Sequence, residues 1–426
     1  TGMPCGFAGF GEDDSRLRWC FLTFCDKIDV LGKMGDSMER EGNMKQSRFV
    51  SIIIFIIAVD WMACDIFLPA QPEIKAYFDT SAATLNLALS IYFIVSAVSV
   101  LFGGPLSDRF GRKKLLLLGV GIFTLFGYGC AVAPSVWFLI ACRGGAALGA
   151  GFISAIGMAM VRDYLEEDVF RKAMAVIQSV IILGPVASPF LGSFVLLFAG
   201  WRWVMATLGI LGTVSFALAC ALPETLPSER RVCGGLVPAM KGLLYVAKDK
   251  YFSVLLTIIS LFAVPFFGFV AVCAYICITD FGMSYLQYSL FYAGICVISF
   301  SAPFVYLFLD RKLSGKAQLH ICFVLFALST AGLGLFGKLS PLLLFLVTIP
   351  YTYAEGISRP LGMVLLLNQH KDTTGAASAL TSFVTSIIGT VGTVVATLSW
   401  GNYIDGLFWI FFGCLVLALV TWVILL

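Results

Sequence analysis

Beyond residue 43 the chain alternates between apolar runs of roughly 18–27 residues and short polar connections. A run of that length crosses about 30 Å of hydrocarbon as a helix. Twelve are predicted, at about 50–69, 85–105, 115–133, 136–161, 173–199, 203–222, 252–279, 286–309, 317–337, 341–368, 374–399 and 405–426. The longest polar connection among them runs from Pro223 to Lys250 and divides the runs six and six. The predicted fold class is therefore an all-α polytopic membrane protein, with twelve transmembrane helices in two parallel, pseudo-symmetric six-helix halves. The first half covers 44–222, a cytoplasmic central loop 223–250, and the second half 251–426. Leu309-Asp310-Arg311-Lys312 after span eight echoes Ser107-Asp108-Arg109 after span two, as a repeat would.

Residues 1–43 stand outside this pattern. They hold Glu12, Asp13, Asp14, Arg16 and Arg18, no spanning run, and no signal-peptide order. Met44-Lys45-Gln46-Ser47-Arg48 reads as a natural start, so 1–43 is expected to be an upstream extension or a disordered tail.

Composition agrees with a membrane protein: 59% of the 426 residues are hydrophobic, 12% are charged, and mean hydropathy is +0.95. The 13 cysteines show no disulfide or zinc spacing, and Cys273 and Cys277, one turn apart, read as packing residues. With only His320 and His370, a His-rich metal site is excluded; no metal is expected. No G-x-x-x-x-G-K-[ST] occurs, so ATP-driven pumping is not expected; no cofactor is expected, the proton gradient being the energy source.

Charge sets the sidedness. Loops on one face carry Lys45, Arg48, Arg109, Arg112, Lys113, Lys114, Arg162, Arg171, Lys172, Arg230, Arg231, Lys241, Lys248, Lys250, Arg311, Lys312, Lys316 and Lys371. Those on the other carry only Lys75, Arg202 and Lys338. By the positive-inside rule both termini are cytoplasmic, in a cell's inner membrane.

The densest polar stretch is Gly104-Pro105-Leu106-Ser107-Asp108-Arg109-Phe110-Gly111-Arg112-Lys113-Lys114. Gly104 and Pro105 are expected to end the preceding helix, and Gly111 to permit the turn. The stretch resembles the loop signature G-x-L-x-D-R-x-G-R-K/R between helices 2 and 3 of the major facilitator superfamily. Asp65-Ile66-Phe67-Leu68-Pro69-Ala70-Gln71-Pro72-Glu73-Ile74 resembles the D-x-Y-L-P-A-x-P-x-I stretch of its Bcr/CflA, bicyclomycin-resistance type, drug:proton antiporters. Gly375–Leu380 is similar to that group's start of span eleven, and Arg162-Asp163 and Trp201-Arg202 match more weakly. Gly184, Pro185, Pro189 and Gly192 in span five resemble the signature of exporting members; an ordinary helix is not expected there. The resemblance implies alternating access, with Gly104, Asp108, Arg109, Gly111, Arg112, Lys113, Arg162 and Asp163 as a cytoplasmic gate or latch. Asp108 would then meet cations or the start of span eleven near Asp372–Gly375.

Ionisable residues inside spans are functional candidates by default. They are Asp60 and Asp65 in span one, Arg143 in span four, and Glu355 and Arg359 in span ten. By helical rise Arg143 lies roughly 10 Å below the outer surface, with both aspartates within a turn of that depth. Pairing with one or both is expected if spans one and four face each other. The aspartates, five residues apart, are about 140° apart around a helix, so they cannot both point at one partner. Burial and a neighbouring cation act oppositely on a carboxyl's proton affinity, which suits Asp65 and Asp60 to proton coupling with Arg143 tuning them; a permanently ionised structural pair is the plainer alternative. Glu355 and Arg359, spaced i and i+4, suit an intrahelical pair, either structural or gating. Trp201, Trp203 and Trp400 read as interfacial belt residues, and Tyr92, Phe93, Tyr275, Tyr292, Tyr351 and Tyr353 as possible cavity lining.

Together these features predict a secondary active transporter rather than an enzyme. It is a monomer in the lipid bilayer, takes no nucleic acid, and exports small amphipathic compounds or drugs against protons, the proton gradient being the energy source. A proton symporter or facilitator importing a metabolite shares most of the features, and a non-transporting receptor or structural protein shares the spans alone.

Overall fold

A computed structural model describes residues 44–226, 243–367, 369, 374–398 and 400–425. The extension 1–43, the loop cations Arg230, Arg231 and Lys241, and His370, Lys371 and Asp372 lie outside the described residues. By contact the chain separates into Thr1–Ser51 and Ile52–Leu426, and the interactions below belong to the second unit.

All regular structure among the described residues is helical. The long helices are α1 (Met44–Asp65), α2 (Ala82–Phe110), α3 (Arg112–Ala131), α4 (Val136–Tyr164), α5 (Glu167–Ala199), α6 (Trp201–Cys220), α7 (Lys250–Ala274), α8 (Tyr285–Asp310), α9 (Gly315–Phe336), α10 (Pro341–Leu367), α11 (Thr374–Ala396) and α12 (Tyr403–Leu425). Among the described residues ten helices are long and apolar enough to cross a membrane, and Gly184–Ala199 of α5 forms a shorter apolar segment. The remaining long helix, α10, carries Glu355, Arg359 and two internal prolines. α2 packs on α4 and α3 on α6; in the second half α8 packs on α10 and α9 on α12. The same pairings six helices later are the two-half repeat. Across the halves, α2 packs on α11 and α5 on α8. The face bearing the Asp108–Lys114 loop is the basic face, and the other the opposite face.

Three local expectations need correction. Gly104-Pro105 does not end α2, which runs through Pro105 to Phe110. The break comes at Gly111, whose φ of 97° suits glycine, while its N–H still closes the helix on the Ser107 carbonyl at 3.0 Å. Second, span one does not close at Pro69. A 3-10 turn, Leu68–Ala70, and a short helix, Gln71–Tyr77, extend it, because Pro69 and Pro72 stand at first-turn positions where a missing N–H disrupts no helical bond. Third, α5 is one continuous helix with Pro185 and Pro189 inside it. Ser289 Oγ of α8 donates to the Pro189 carbonyl at 3.0 Å, which fastens this stretch of α5 to the second half. Of the belt residues, Trp203 is exposed while Trp201 is buried beneath Tyr77 and Arg202.

Close helix approach fixes where small residues stand. A Cβ on Gly127 of α3 would lie 3.0 Å from the backbone nitrogen of Gly209 on α6. The Gly127→Val variant is therefore expected to lose about 1–3 kcal/mol by forcing backbones apart. Thermal unfolding in detergent checks this; an unchanged melting temperature would contradict the contact.

Candidate functional site

The centre of the first half is Arg143. Its side chain is fully buried, although α4 is otherwise apolar around it. Nη1 donates to the Ala63 carbonyl of α1 at 3.0 Å, and the guanidinium lies 4.3 Å from the Tyr92 ring centre and 4.9 Å from that of Phe67. The aromatic faces supply attraction to the cation. Nε and Nη2 have no hydrogen-bond partner. The expected ion pair with Asp60 or Asp65 is not formed: no carboxylate oxygen of either lies within the 4.0 Å of an ion pair. The guanidinium takes the Ala63 carbonyl in the last turn of α1 instead, and two rings flank it.

Asp65, at the last turn of α1, is buried, and its carboxyl lies within electrostatic range of Arg143. Its Oδ1 accepts from the Tyr292 hydroxyl of α8 at 3.4 Å. The carboxyl thus stands between a phenol of the second half and a guanidinium of its own half that has two free donors. Asp60, one turn earlier and 9% exposed, makes no hydrogen bond or ion pair among the described residues.

Around Asp65 the halves are joined by a set of polar contacts towards the opposite face. Gln71 Nε2 donates to Asn86 Oδ1 at 3.1 Å, and Asn86 Nδ2 donates to the Ala271 carbonyl of α7 at 3.2 Å. Ser90 and Thr393 hydroxyls meet at 2.6 Å, linking α2 to α11. Ser193 of α5 meets Ser289 at 2.8 Å and donates to the Tyr285 carbonyl at 3.1 Å. Gly192 lets α5 meet the end of α1: a Cβ there would lie 2.5 Å from the Ile66 carbonyl. Rings add to it, with Phe93 of α2 edge-on to Phe267 of α7 at 4.7 Å. Of these residues, Gln71, Asn86, Ser90, Ser193, Ser289 and Thr393 were not singled out from sequence. Asn86 carried the one usable signal, an amide alone within an apolar run.

On the basic face the loop residues cluster within the first half. Arg112 pairs with Asp108 at 2.7 Å and with Asp163 at 2.9 Å, and its Nη1 donates to Ser107 Oγ at 2.5 Å. Glu224 accepts from the backbone N–H of Arg112 at 3.0 Å, and Lys113 Nζ donates to the Cys220 carbonyl at 2.9 Å. Arg109 lies over Phe110 at 5.3 Å; Gly104 has open space where a Cβ would stand. Arg162 is exposed at the end of α4. Asp108 thus meets a cation of its own loop. The segment Asp372–Thr373, its other expected neighbour, lies outside the described residues. Between α2, α11 and the helical turn at 243–247 there is an apolar cavity of about 270 Å³, lined by Val98, Phe102, Leu244, Ala247, Leu380 and Phe383.

In the second half, Arg359 Nε donates to Glu355 Oε1. Glu355 is buried, and the Arg359 side chain is 55% exposed. Of the tyrosines read as lining, Tyr351 donates to the Phe262 carbonyl at 2.5 Å and Tyr353 accepts from Ser301 at 3.0 Å. Cys273 and Cys277 are buried and free, and no metal-binding cluster occurs among the described residues.

Two six-helix halves with charges buried in the first and a polar seam between them define a membrane transporter of the two-repeat class. The model of the Major Facilitator Superfamily matches residues 50–393, and the chain belongs to that family. It is 27% identical over 340 residues to an uncharacterized MFS-type transporter, YdgK, of Bacillus subtilis (strain 168), covering 77% of this chain and 83% of that one. It is 28% identical over 295 residues to multidrug resistance protein MdtL of Vibrio parahaemolyticus, covering 67% and 73%. Among solved structures it is similar to a bacterial homolog of the human lysosomal transporter Spinster, in an inward-facing and unoccupied conformation. That likeness has TM-score 0.69 and 15% identity, covering 89% of this chain and 96% of that one. The protein is a transporter rather than an enzyme, and its partners are the lipid bilayer and a small-molecule substrate.

Each hydrogen bond between membrane helices stabilises by about 0.6 kcal/mol on average. Asn86→Leu removes one such bond across the seam, to the Ala271 carbonyl, so opening of the opposite face should become about threefold more frequent. In a background where Cys64 is the sole cysteine, its alkylation from that face should accelerate accordingly. An unchanged rate would mean that the amide holds nothing shut.

Proposed function

We propose that this protein is a proton-coupled exporter of small amphipathic compounds, with the basic face towards the cytoplasm of the cell's inner membrane and Asp65 as the residue where proton and conformation meet. The observation that carries the reading is the position of the Asp65 carboxyl. It touches Tyr292 of the second half and stands near two unmet donors of Arg143. A neutral carboxyl gains little from the guanidinium and stays on the phenol, keeping the opposite face shut. Ionised, it is attracted to Arg143 more strongly than to a neutral hydroxyl, because the guanidinium adds the attraction of opposite charges to the hydrogen bond. Moving to Arg143 releases Tyr292 and unfastens the seam. Loss of a proton to the cytoplasm then drives the loaded protein outward, which is the sequence of events antiport requires.

Asp60, buried and unpartnered a turn away, serves as the second acid of the coupling site. The basic-face cluster of Asp108, Arg112 and Asp163 acts as the opposing latch, engaged with its own half while the opposite face is closed and available to the second half when it opens. Gly192, with Pro185 and Pro189, lets α5 approach α1 and α8 closely enough for the seam to form. The MdtL relatives, named for multidrug resistance, support export over uptake. The energy source is the proton gradient, with no cofactor, and each protein works as a monomer.

Everted vesicles loaded with an acidic interior test this. Adding drugs from a panel of lipophilic compounds should dissipate the gradient for at least one of them. Asp65→Asn should abolish that response while leaving the protein in the membrane. A response equal to wild type in Asp65→Asn would remove Asp65 from the coupling role, and responses only to inward-moving metabolites would favour symport.

A further inference from the structure

Neither the coupling site nor the seam uses Glu355 and Arg359. On α10, Leu342, Leu346, Pro360 and Val364 fall within roughly 40° of one another at 100° per residue. Leu342 is 67% exposed and Leu346 and Val364 each 47%, so this is the lipid-facing stripe. Arg359 lies roughly 100–140° away from it, on a second stripe with Thr348, Thr352 and Glu355. Thr348, Thr352 and Glu355 are buried, whereas Arg359, further along towards the basic face, is open. That stripe is flanked by α7, where Gly362 touches Ile259, and by α8, where Gly356 touches Ala302. A side chain that is exposed between α7 and α8, and turned away from lipid, faces the space between the halves.

The guanidinium there is only partly used. Nε is taken by Glu355, and the ring of Phe266 lies 5.1 Å from its central carbon. The two Nη groups, the end of the fork that binds a planar oxyanion with two parallel bonds, have no protein partner among the described residues. Glu355 fixes the rotamer at Nε without covering that end. Phe266, in turn, offers an apolar ring beside the charge.

We propose that Arg359, with Glu355 and Phe266, is a recognition subsite for the anionic group of a transported amphipathic organic acid, the carboxylate taking the Nη edge and the apolar body lying against Phe266. The exported compounds then include amphipathic acids and zwitterions, and not only the lipophilic cations that acidic residues alone would select. This deepens the export reading and rests on it only in taking the central space as the substrate path.

The test is equilibrium binding to the full chain in phosphatidylcholine nanodiscs, with naphthalene-2-carboxylate, its primary amide and 2-naphthylmethylammonium as probes. A charge-assisted bond predicts the carboxylate binding about tenfold tighter than the amide. Arg359→Gln should reduce that ratio to near one, and the double variant with Glu355→Gln should do so while leaving the ammonium probe unaffected. Glu355→Gln should raise it, since a competitor for the guanidinium is gone. Arg359→Lys should retain part of it, as a point charge without the fork. Glu355→Gln/Arg359→Gln avoids a buried unpaired carboxylate and should repeat the Arg359→Gln result if that variant folds poorly. A ratio near one in wild type, or one that Arg359→Gln and the double variant leave intact, overturns the subsite. If phosphatidylglycerol in the discs displaces the carboxylate probe through Arg359, the site belongs to a lipid headgroup and the substrate assignment fails. None of these outcomes depends on proton coupling, so loss of the vesicle response would overturn antiport and leave the binding ratio standing.

Discussion

A polar group carried into hydrocarbon must find its partner within the protein, and the few such groups in this chain decide how its helices meet. Arg143 shows the constraint most sharply. It is fully buried, satisfied through one N–H and two aromatic faces, and left with two donors unmet. An unsatisfied buried donor costs roughly 1–3 kcal/mol, more when charged. Such a group is tolerable where a mobile partner can reach it, and Asp65 is the neighbour placed to do so. The rest of the seam follows the same rule with neutral groups: Asn86, Ser90, Ser193, Ser289 and Thr393 find one another across the halves because lipid offers them nothing.

The two faces are therefore held by different chemistry. Neutral hydroxyls and amides close the opposite face, each bond weak enough to break singly and numerous enough to hold together. The basic face carries ions instead, with Arg112 gathering Asp108 and Asp163 within the first half. A two-state machine needs an equilibrium shifted by a few kcal/mol, and under the proposed coupling Asp65 would supply it by changing partners. The glycines make the geometry possible: Gly192 lets α5 reach the end of α1, and Gly268 lies with a would-be Cβ 3.1 Å from the Gly392 carbonyl of α11.

Much of the architecture was legible because hydrocarbon imposes a length and excludes charge, so runs and loops spell out the spans directly. The failures were local. Pro69 and Pro105 suggest stops and the prolines of α5 a break, yet Pro69 stands in a first turn, and α2 and α5 run on through theirs. The charged residues were found at once, since nothing else explains them in a span. A partner was legible only within one helix, as Glu355 with Arg359; Tyr292 is 227 residues from Asp65 and is one aromatic among many. Helix rotation decides which serine faces a seam and which arginine faces the central space, and no periodicity in these all-round apolar helices reports it.

The claim on which the account turns is that Asp65 trades Tyr292 for Arg143 when it ionises. Spin labels across the opposite face, on α2 and α8, would read that exchange as a distance distribution in nanodiscs. The account predicts that raising the pH populates a longer distance in the wild-type protein, and that Asp65→Asn remains at the short distance throughout. If Asp65→Asn opens with pH as the wild type does, the carboxyl is not the switch.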